Sequence, residues 1–410
     1  MENPFYLYCI IGILVAEFLL TTLLNHLNAR RFAHPLPEEV RDVYNAEAYQ
    51  KSQRYKRSQY RFGTLTSLFS FLLMLGFLLF GGFAWIDDLV RNWSDGAIPR
   101  ALLFFGALLL GSDLLHLPFA YYHTFVIEER FGFNKTTLAT FFLDKLKSWG
   151  LMIVVGGLLL SAIIWFFEWA GAHFWLYAWG TIAVFTLLMN LFYSKLIVPL
   201  FNQQEPLPEG SLKAGIENYA KKVGFDLGQI FVINGSKRST KANAYFSGLG
   251  KQKRIALYDT LLHDLEEDEI VAVLAHEVGH YKKRHVLFNL AASIALTGLM
   301  LFVLSLFVNN SALAMAIGVG QPSFHAALLG FGILYSPVSE VTGLIMNHLS
   351  RKFEYQADAF AKETFSGTAL TGALKKLSKN NLSNLTPHPA YVFMHYSHPP
   401  LKDRIRNLKA

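Results

Sequence analysis

Seven long apolar stretches constrain this chain more than any other feature of its sequence. About twenty mainly apolar residues cross the hydrocarbon core of a bilayer as a helix. Stretches near or above that length cover residues 5–25, 64–86, 100–122, 150–168, 174–198, 286–308 and 323–346. The first is too long for a secretory signal and lacks a small-residue cleavage site, so we interpret it as a span. The sequence predicts a mainly α, polytopic membrane protein with seven transmembrane helices.

The composition supports a lipid-embedded protein. Of the 410 residues, 52% are hydrophobic and only 16% are charged, whereas soluble domains carry roughly 25% charged residues. A net charge of +7 is compatible with nucleic-acid binding, but basic loops on the cytoplasmic face of a membrane protein explain it better. We therefore expect the lipid bilayer, and no nucleic acid, as a partner. Because Cys9 is the only cysteine, a disulfide framework and a cysteine zinc cluster are excluded.

The positions of lysine and arginine predict the orientation. The loop after the first stretch carries eight of them between Arg30 and Arg61, whereas residues 309–322 carry no charge. Since cytoplasmic loops are enriched in Lys and Arg, the N-terminus is expected outside and the C-terminus in the cytoplasm. Four ionisable residues lie within or beside apolar stretches: Glu17, Asp113, His116 and Glu340. Such groups are costly in lipid unless they line water or pair. Together they favour a water-filled chamber, with pairing between helices as the alternative for each.

Two regions remain to fold outside the bilayer, 199–285 and 347–410. The first begins with a proline-rich linker, and a helix is predicted over 210–223. Three short β-rich segments then predict a small sheet, at 231–233, 244–246 and 254–258. A helix from about Glu267 to His285 follows, acidic at its start and basic at its end, as the helix dipole favours. The predicted division is 1–198 with five spans, 199–285, 286–346 with two spans, and 347–410.

The helix predicted from Glu267 carries the segment His-Glu-Val-Gly-His at 276–280. His276 and His280 are four residues apart, so they project from one helical face and can bind one metal ion. Neutral histidine suits zinc, and catalytic zinc has three protein ligands and a water. Glu277 can take a proton from that water as general base. Gly279 removes a side chain where the helix has to lie close to other structure. A chance occurrence is the alternative for the motif alone.

Glu354 is the candidate third ligand. Two spans separate it from His280, so the chain returns to the membrane face that it left. Asp358, one turn further on, faces the same way and can accept the free ring N–H of a zinc-bound histidine. A solvated helix, with both carboxylates facing neighbouring basic residues, is the alternative. The number of ligands that zinc requires favours Glu354 and predicts one Zn²⁺ per chain.

Five segments resemble the CAAX prenyl protease 1 family of seven-span membrane zinc proteases. They are Asn243–Phe246, Arg254–Leu262, His276–His280, Glu354–Asp358 and Ser397–Pro400. The resemblance implies that His276, His280 and Glu354 bind zinc and that Glu277 is the catalytic base. It also implies a zincin-like cytoplasmic catalytic domain, formed by 199–285 and 347–410, at the mouth of a chamber that the helices enclose.

The resemblance further implies a zinc metalloendopeptidase acting on a peptide or protein substrate. Eukaryotic members cleave prenylated C-terminal motifs, and some prokaryotic relatives act in membrane-protein quality control. The same resemblance carries His398 and Arg404 over as residues near the metal, where they can stabilise an oxyanion or hold the substrate carbonyl. Asn243 lies in a predicted strand, 242–247, that at the edge of a sheet can pair with an extended peptide; an ordinary turn asparagine before a strand is the alternative. His263, His388 and His395 are expected to be surface or loop residues.

Other functional classes fit less well. A seven-span receptor or transporter needs no such ligand set, and transporters usually contain repeats or broken helices. A catalytically idle scaffold is disfavoured by the intact motif and Glu354, and a four-span bacterial stress protease has too few spans. The chain lacks soluble insertions and a recognisable retrieval signal. Both absences favour a prokaryotic plasma membrane over the endoplasmic reticulum, with the active site toward the cytoplasm. A prenyl requirement, the cleavage site and the oligomeric state stay open.

Overall fold

Helices dominate the structure, a computed structural model that describes residues 5–247 and 254–410. The first half contains α1 (Phe5–Ala29), α2 (Ala46–Leu79), α3 (Gly82–Trp93), α4 (Ala97–Tyr122), α5 (Leu138–Leu151), α6 (Gly157–Ala170) and α7 (Phe174–Leu196). The second half contains α8 (Ser211–Lys222), α9 (Asp259–Asp264), α10 (Glu267–Lys282), α11 (His285–Phe307), α12 (Ser311–Ala316), α13 (Phe324–Ala361), α14 (Gly367–Asn380), α15 (Pro389–His395) and α16 (Leu401–Lys409). Wider helical turns extend α4 to Phe131 and join α5 to α6.

Within residues 5–247 and 254–410, six helical segments are long and apolar enough to cross a membrane. They are Phe5–Ala29, Ala46–Leu79, Ala97–Phe131, Leu138–Phe201, His285–Phe307 and Phe324–Asn380. One of them, Leu138–Phe201, contains a reversal at Gly171, where φ is +53°. Phe167 of α6 then packs against Phe174 of α7 with their ring centroids 5.4 Å apart. These helices confirm a polytopic membrane fold, and the count of seven crossings stays a prediction.

Helix α2 differs most from its predicted span, 64–86. It begins at Ala46, where the Oδ1 of Asn45 accepts a hydrogen bond from the backbone N–H of Ala48, 2.8 Å away. It ends before Gly81, whose φ of +71° is readily adopted only by glycine. The chain then forms α3, with Phe83, Ile86 and Val90 buried on one face. The predicted end at 86 is wrong because the apolar run continues past Gly81, where the helix is interrupted.

A four-stranded sheet lies between the two groups of membrane helices in the chain. Its strands are β1 (Gln204–Pro206), β2 (Gln229–Ile233), β3 (Ala244–Ser247) and β4 (Arg254–Tyr258), in the order β1-β2-β4-β3. β2 and β4 are parallel, with Ile230 opposite Ile255, and the two edge strands are antiparallel to their neighbours. The three predicted strands are confirmed. β1 was not predicted, since a three-residue edge strand with a proline has no alternating pattern.

One apolar core joins the two regions outside the membrane segments. Residues 199–285 contribute Ile216, Ile255, Leu257, Ala275 and Val278, and residues 347–410 contribute Ala361, Leu370, Ala373 and Leu408. Helix α13 connects this core to the membrane segments. Its 38 residues span about 57 Å at 1.5 Å per residue, almost twice the hydrocarbon thickness of about 30 Å. Its C-terminal part therefore extends beyond the bilayer and carries Glu354 into the catalytic region.

Three of the four ionisable residues noted in the apolar stretches have partners on neighbouring helices. Glu17 accepts a hydrogen bond from Ser336, and His116 contacts the Ser70 hydroxyl at 2.8 Å. Asp113 accepts a hydrogen bond from the indole N–H of Trp149 at 2.8 Å and pairs with a lysine of α5. Asp113 and His116 also line a cavity of about 620 Å³, whereas Glu340 is exposed. Pairing and cavity lining thus occur together, and a single enclosed chamber stays a prediction.

Candidate active site

The helix with the His-Glu-Val-Gly-His segment is fixed at its start and along one face. The backbone N–H of Glu266 donates to the carboxylate of Glu269 at 2.9 Å, which caps the first turn of α10. Along the helix, the side of Ala275, His276 and Gly279 is buried. A Cβ added to Gly279 would lie 3.0 Å from the Cα of Ala357. The expected reason for Gly279 is confirmed, because α10 and α13 cross at backbone contact one turn from Glu354.

Three ligand atoms from these two helices converge. The Nε2 of His276 lies 3.1 Å from the Nε2 of His280, and the Glu354 carboxylate lies 3.5 Å and 3.2 Å from them. Tetrahedral zinc with ligand distances near 2.0–2.1 Å places its ligand atoms about 3.3 Å apart. The Oε2 of Glu354 is buried and accepts no hydrogen bond from the described residues. Its nearest cation is the Nη1 of Arg404 at 3.4 Å, longer than the about 2.7–2.9 Å of a charge-assisted hydrogen bond. Since a buried carboxylate oxygen needs a close cation or a donor, the three residues fit a zinc ion.

Asp358 and Arg404 support His276 from behind. The Oδ1 of Asp358 lies 2.9 Å from the Nδ1 of His276, and Arg404 donates to both Asp358 oxygens at 2.8 Å and 2.5 Å. Burial alone lowers the pKa of Arg404, but Asp358 and Glu354 raise it above its ordinary value. The carboxylate therefore stays ionised and accepts the Nδ1–H of His276. This hydrogen bond leaves the Nε2 of His276 free to bind a metal.

His280 has a corresponding support that sequence reasoning missed. Its Nδ1 lies 3.1 Å from the Nδ1 of His285, whose Nε2 lies 2.8 Å from the Oε1 of Gln356. An amide oxygen only accepts, so His285 carries its proton on Nε2 and accepts from His280 with its Nδ1. The ring of His285 also stacks on Phe353 with their centroids 4.2 Å apart. The Nε2 of His280 is thereby left free toward Glu354.

Glu277 and His398 are the polar groups beside the ligands that remain accessible. Glu277 is half-buried, and its charge acts on His280 and Arg404, yet it forms no hydrogen bond or ion pair with any described residue. A carboxylate free beside the ligand atoms is suited to general-base catalysis. The His398 side chain is 63% exposed, and its Nε2 lies 3.3 Å from the Oε1 of Glu354. Its imidazole thus lies at the open side of the ligand group.

Comparison with known proteins identifies this arrangement. Residues 206–410 match the family model described as Peptidase family M48, and residues 25–203 match the one described as CAAX prenyl protease N-terminal, five membrane helices. The chain belongs to the M48 peptidase family. It is 34% identical to the CAAX prenyl protease 1 homologue of Arabidopsis thaliana over 99% of this chain and 98% of that protein.

Two further relatives extend the similarity within the M48 family. The human CAAX prenyl protease 1 homologue is 34% identical over 91% of this chain and 88% of its own length. The crystal structure of Ste24p from S. mikatae is 33% identical, has a TM-score of 0.93 and covers 100% of both chains. These findings confirm the prediction of an integral-membrane zinc metalloendopeptidase. They exclude the seven-span receptor or transporter.

The substrate residues expected for this M48 peptidase lie in different settings. Arg404 is only 9% exposed and directs two of its nitrogens to Asp358, while its Nη1 lies 3.4 Å from Glu354. Asn243 is exposed and directly precedes the edge strand β3, so its predicted place within that strand is wrong. Its Oδ1 accepts from the N–H of Ala244 at 2.9 Å, and its carbonyl oxygen accepts from the N–H of Tyr258. Within the described residues, Asn243 has no hydrogen bond to the ligand group.

The three histidines set aside in the sequence lie away from the ligand group. His263 is exposed at the end of α9. The Nδ1 of His388 accepts from the backbone N–H of Ala390 at 3.2 Å and caps α15, and His395 packs on Tyr391. None of them belongs to the metal-competent group of described residues, which consists of His276, His280 and Glu354.

Proposed function

We propose that this M48 peptidase holds one zinc ion per chain through the Nε2 atoms of His276 and His280 and the carboxylate of Glu354. The observation that carries the proposal is the convergence of these atoms at 3.1–3.5 Å around a buried Glu354 oxygen without a hydrogen-bond donor. A bound zinc ion supplies Lewis acidity to a peptide carbonyl and to water. The tautomer of each histidine is fixed by the partner of its Nδ1, Asp358 for His276 and His285 for His280, which leaves both Nε2 atoms directed at the metal.

Glu277 moves the protons of the reaction. Its carboxylate accepts a proton from the attacking water and passes it to the leaving amine. His398 donates to the carbonyl oxygen as negative charge develops there, because its imidazole is exposed on the open side of Glu354. Arg404 acts mainly through Asp358, and its Nη1 adds positive charge beside Glu354. An extended peptide pairs with the edge strand β3, next to Asn243.

The proposed substrates are prenylated CAAX-type proteins, cleaved near the C-terminus. The proposal is supported by identities of 33–36% to proteins named CAAX prenyl protease 1 or its homologue, over 91% or more of this chain. We also place the catalytic region on the cytoplasmic side, in the plasma membrane of a prokaryote or the endoplasmic reticulum of a eukaryote. The basic loop from Arg30 to Arg61 supports this orientation. Membrane-impermeant labelling of a cysteine introduced at exposed Lys283, against one at exposed Gly320, tests it.

Matched prenylated and unprenylated peptides test the substrate and the base together. Wild-type protein is expected to cleave the prenylated peptide faster and to stop when a chelator removes the metal. Glu277→Gln is expected to keep its zinc but lose about 10²–10⁴-fold in kcat/KM, because the amide cannot accept the proton. Zinc content by mass spectrometry and peptide turnover are measured on the same sample.

Each arm has an outcome that contradicts one part of the proposal. Substantial peptide turnover by Glu277→Gln would show that Glu277 is not the general base. Equal cleavage of both peptides removes the prenyl requirement and leaves a membrane-protein quality-control protease. Cleavage of neither peptide by zinc-loaded protein removes the CAAX substrate class.

A further inference from the structure

Three arginines form a stripe on one face of α2. Arg54, Arg57 and Arg61 are spaced three and four residues apart, so their side chains lie one above the other on the helix. All three are exposed. None of them forms an ion pair or a hydrogen bond with any residue in 5–247 or 254–410. Three uncompensated positive charges therefore project together from this helix.

The same face continues as a leucine stripe. Leu65, Leu68 and Leu72 follow Arg61 at spacings of four, three and four, and they are 56%, 41% and 55% exposed. Because exposed leucines match hydrocarbon in polarity, we assign this stripe to the lipid-facing surface of the helix. The arginines hence lie where this lipid-facing surface meets the headgroups, with the leucines directly beneath them.

The opposite face of α2 points toward the catalytic region. Lys56, Gln59 and Tyr60 line a separate cavity of about 240 Å³ together with Tyr391 and Tyr396, which belong to the C-terminal region. One helix thus presents its two sides to two environments. The arginine stripe is on the other side of α2 from this second cavity, and none of His276, His280 and Glu354 lines the cavity that the stripe borders.

The arginine stripe borders a cavity of about 800 Å³. A fourth arginine, Arg130, lines it from the end of the α4 extension, is exposed and likewise has no ion pair with any described residue. The remaining wall is mainly apolar and aromatic: Phe62, Leu65, Pro118, Phe119, Tyr122, Ile127 and Phe131. No acidic side chain is among the lining residues. The volume is that of a small-molecule site, and its charge calls for an anion with an apolar part.

We propose that this arginine cavity binds the headgroup of an anionic phospholipid, with the acyl chains running along Leu65, Leu68 and Leu72. Basic pockets between membrane helices on the cytoplasmic side suit anionic headgroups, and arginine binds phosphate through two parallel hydrogen bonds. A soluble phosphate would use the arginines alone. Only a lipid also covers the aromatic wall and the leucine stripe, and the predicted orientation places the cavity at the anionic cytoplasmic leaflet.

Binding of phosphatidylserine to the full-length protein in neutral detergent tests the proposal. The cavity variant replaces Arg54, Arg57, Arg61 and Arg130 by glutamine, which lowers the formal net charge from +7 to +3. A control variant likewise replaces four basic residues by glutamine and therefore has the same net charge. These are Arg30, Arg41, Lys51 and Lys283, which are exposed and do not line the cavity. Lipid occupancy is counted by native mass spectrometry, with phosphatidylcholine as the neutral probe and inorganic phosphate as a competitor.

The cavity variant is expected to bind phosphatidylserine at least tenfold more weakly, whereas the control variant matches the wild type. Phosphatidylcholine binding is expected to be equal in all three proteins, and phosphate is not expected to compete. An equal loss of phosphatidylserine binding in both variants would mean non-specific electrostatic attraction, and no loss in the cavity variant would mean that the cavity is not a binding site. Either result overturns the proposal. Displacement by phosphate would reassign the cavity to a soluble anion. If the cavity variant does not fold, Arg57→Gln and Arg61→Gln decide the question, each with an expected loss of about fivefold.

Discussion

A buried histidine, an aspartate and an arginine meet near each end of helix α13. At its C-terminal end, Asp358 lies 2.9 Å from His276 and binds Arg404. At its N-terminal end, His325 lies 2.6 Å from Asp87 of α3, which also accepts a hydrogen bond from Arg91 at 2.6 Å. The two sets have the same residue types and similar distances. They differ in which imidazole nitrogen contacts the carboxylate.

This difference separates the proposed metal site from a structural contact. Asp358 contacts the Nδ1 of His276, so the Nε2 is left to face His280 and Glu354. Asp87 instead contacts the Nε2 of His325, and the Ser323 hydroxyl contacts this same nitrogen. Among the described residues, no second histidine or glutamate joins His325 in a metal-competent group. The set at the N-terminal end therefore fastens α3 to α13, and Arg91 strengthens this contact by donating to Gln321 at 3.0 Å.

Removing the histidine from each set should give the largest contrast. His276→Ala deletes one of the three proposed zinc ligands, and we expect it to purify with almost no zinc and without peptidase activity. His325→Ala leaves all three ligands in place, so we expect a zinc content like that of the wild type and a lower melting temperature. Zinc per chain by mass spectrometry and thermal denaturation check both variants. Full zinc retention by His276→Ala would refute its role as a ligand.

Changing the aspartate of each set should separate metal affinity from stability. Asp358→Asn loses the charge that orients His276, and we expect zinc binding to weaken about 10–100-fold in competition with a chelator. Asp87→Asn leaves Arg91 without its counter-charge in a buried contact, and we expect a stability loss of about 3–5 kcal/mol with unchanged zinc affinity. The comparison between the two sets fails if Asp87→Asn weakens zinc binding as much as Asp358→Asn does.

The group of His276, His280 and Glu354 could be predicted from the sequence because each residue depends on a local or topological rule. His276 and His280 share a helical face by spacing alone, and two intervening spans return Glu354 to the same side. The set of His325 and Asp87 could not be predicted in this way. The break at Gly81 lies inside one apolar run, so hydropathy extended the predicted span to residue 86 and concealed the helix that carries Asp87.

His285 was missed for a related reason. At five residues from His280 it falls off the ligand face of a continuous helix, and the predicted helix ran through it to residue 285. In the structure α10 ends at Lys282, and Arg284 adopts a left-handed φ of +61°. This turn starts α11 at a new angle and brings the His285 ring back toward His280. The available signal in the sequence was a third histidine soon after the motif. Only the backbone turn at Arg284 shows that this histidine contacts His280.

The support of His280 provides the finest test of how each ligand is held. His285→Phe keeps an aromatic ring that can stack on Phe353 but removes the acceptor for the Nδ1–H of His280. We expect zinc to bind about tenfold more weakly, with a melting temperature close to that of the wild type in excess zinc. Gln356→Glu is the matched control, since its carboxylate still accepts from the Nε2–H of His285 and should preserve zinc affinity. Wild-type affinity in His285→Phe would mean that helix packing alone orients His280, and that only His276 depends on a hydrogen-bonded partner.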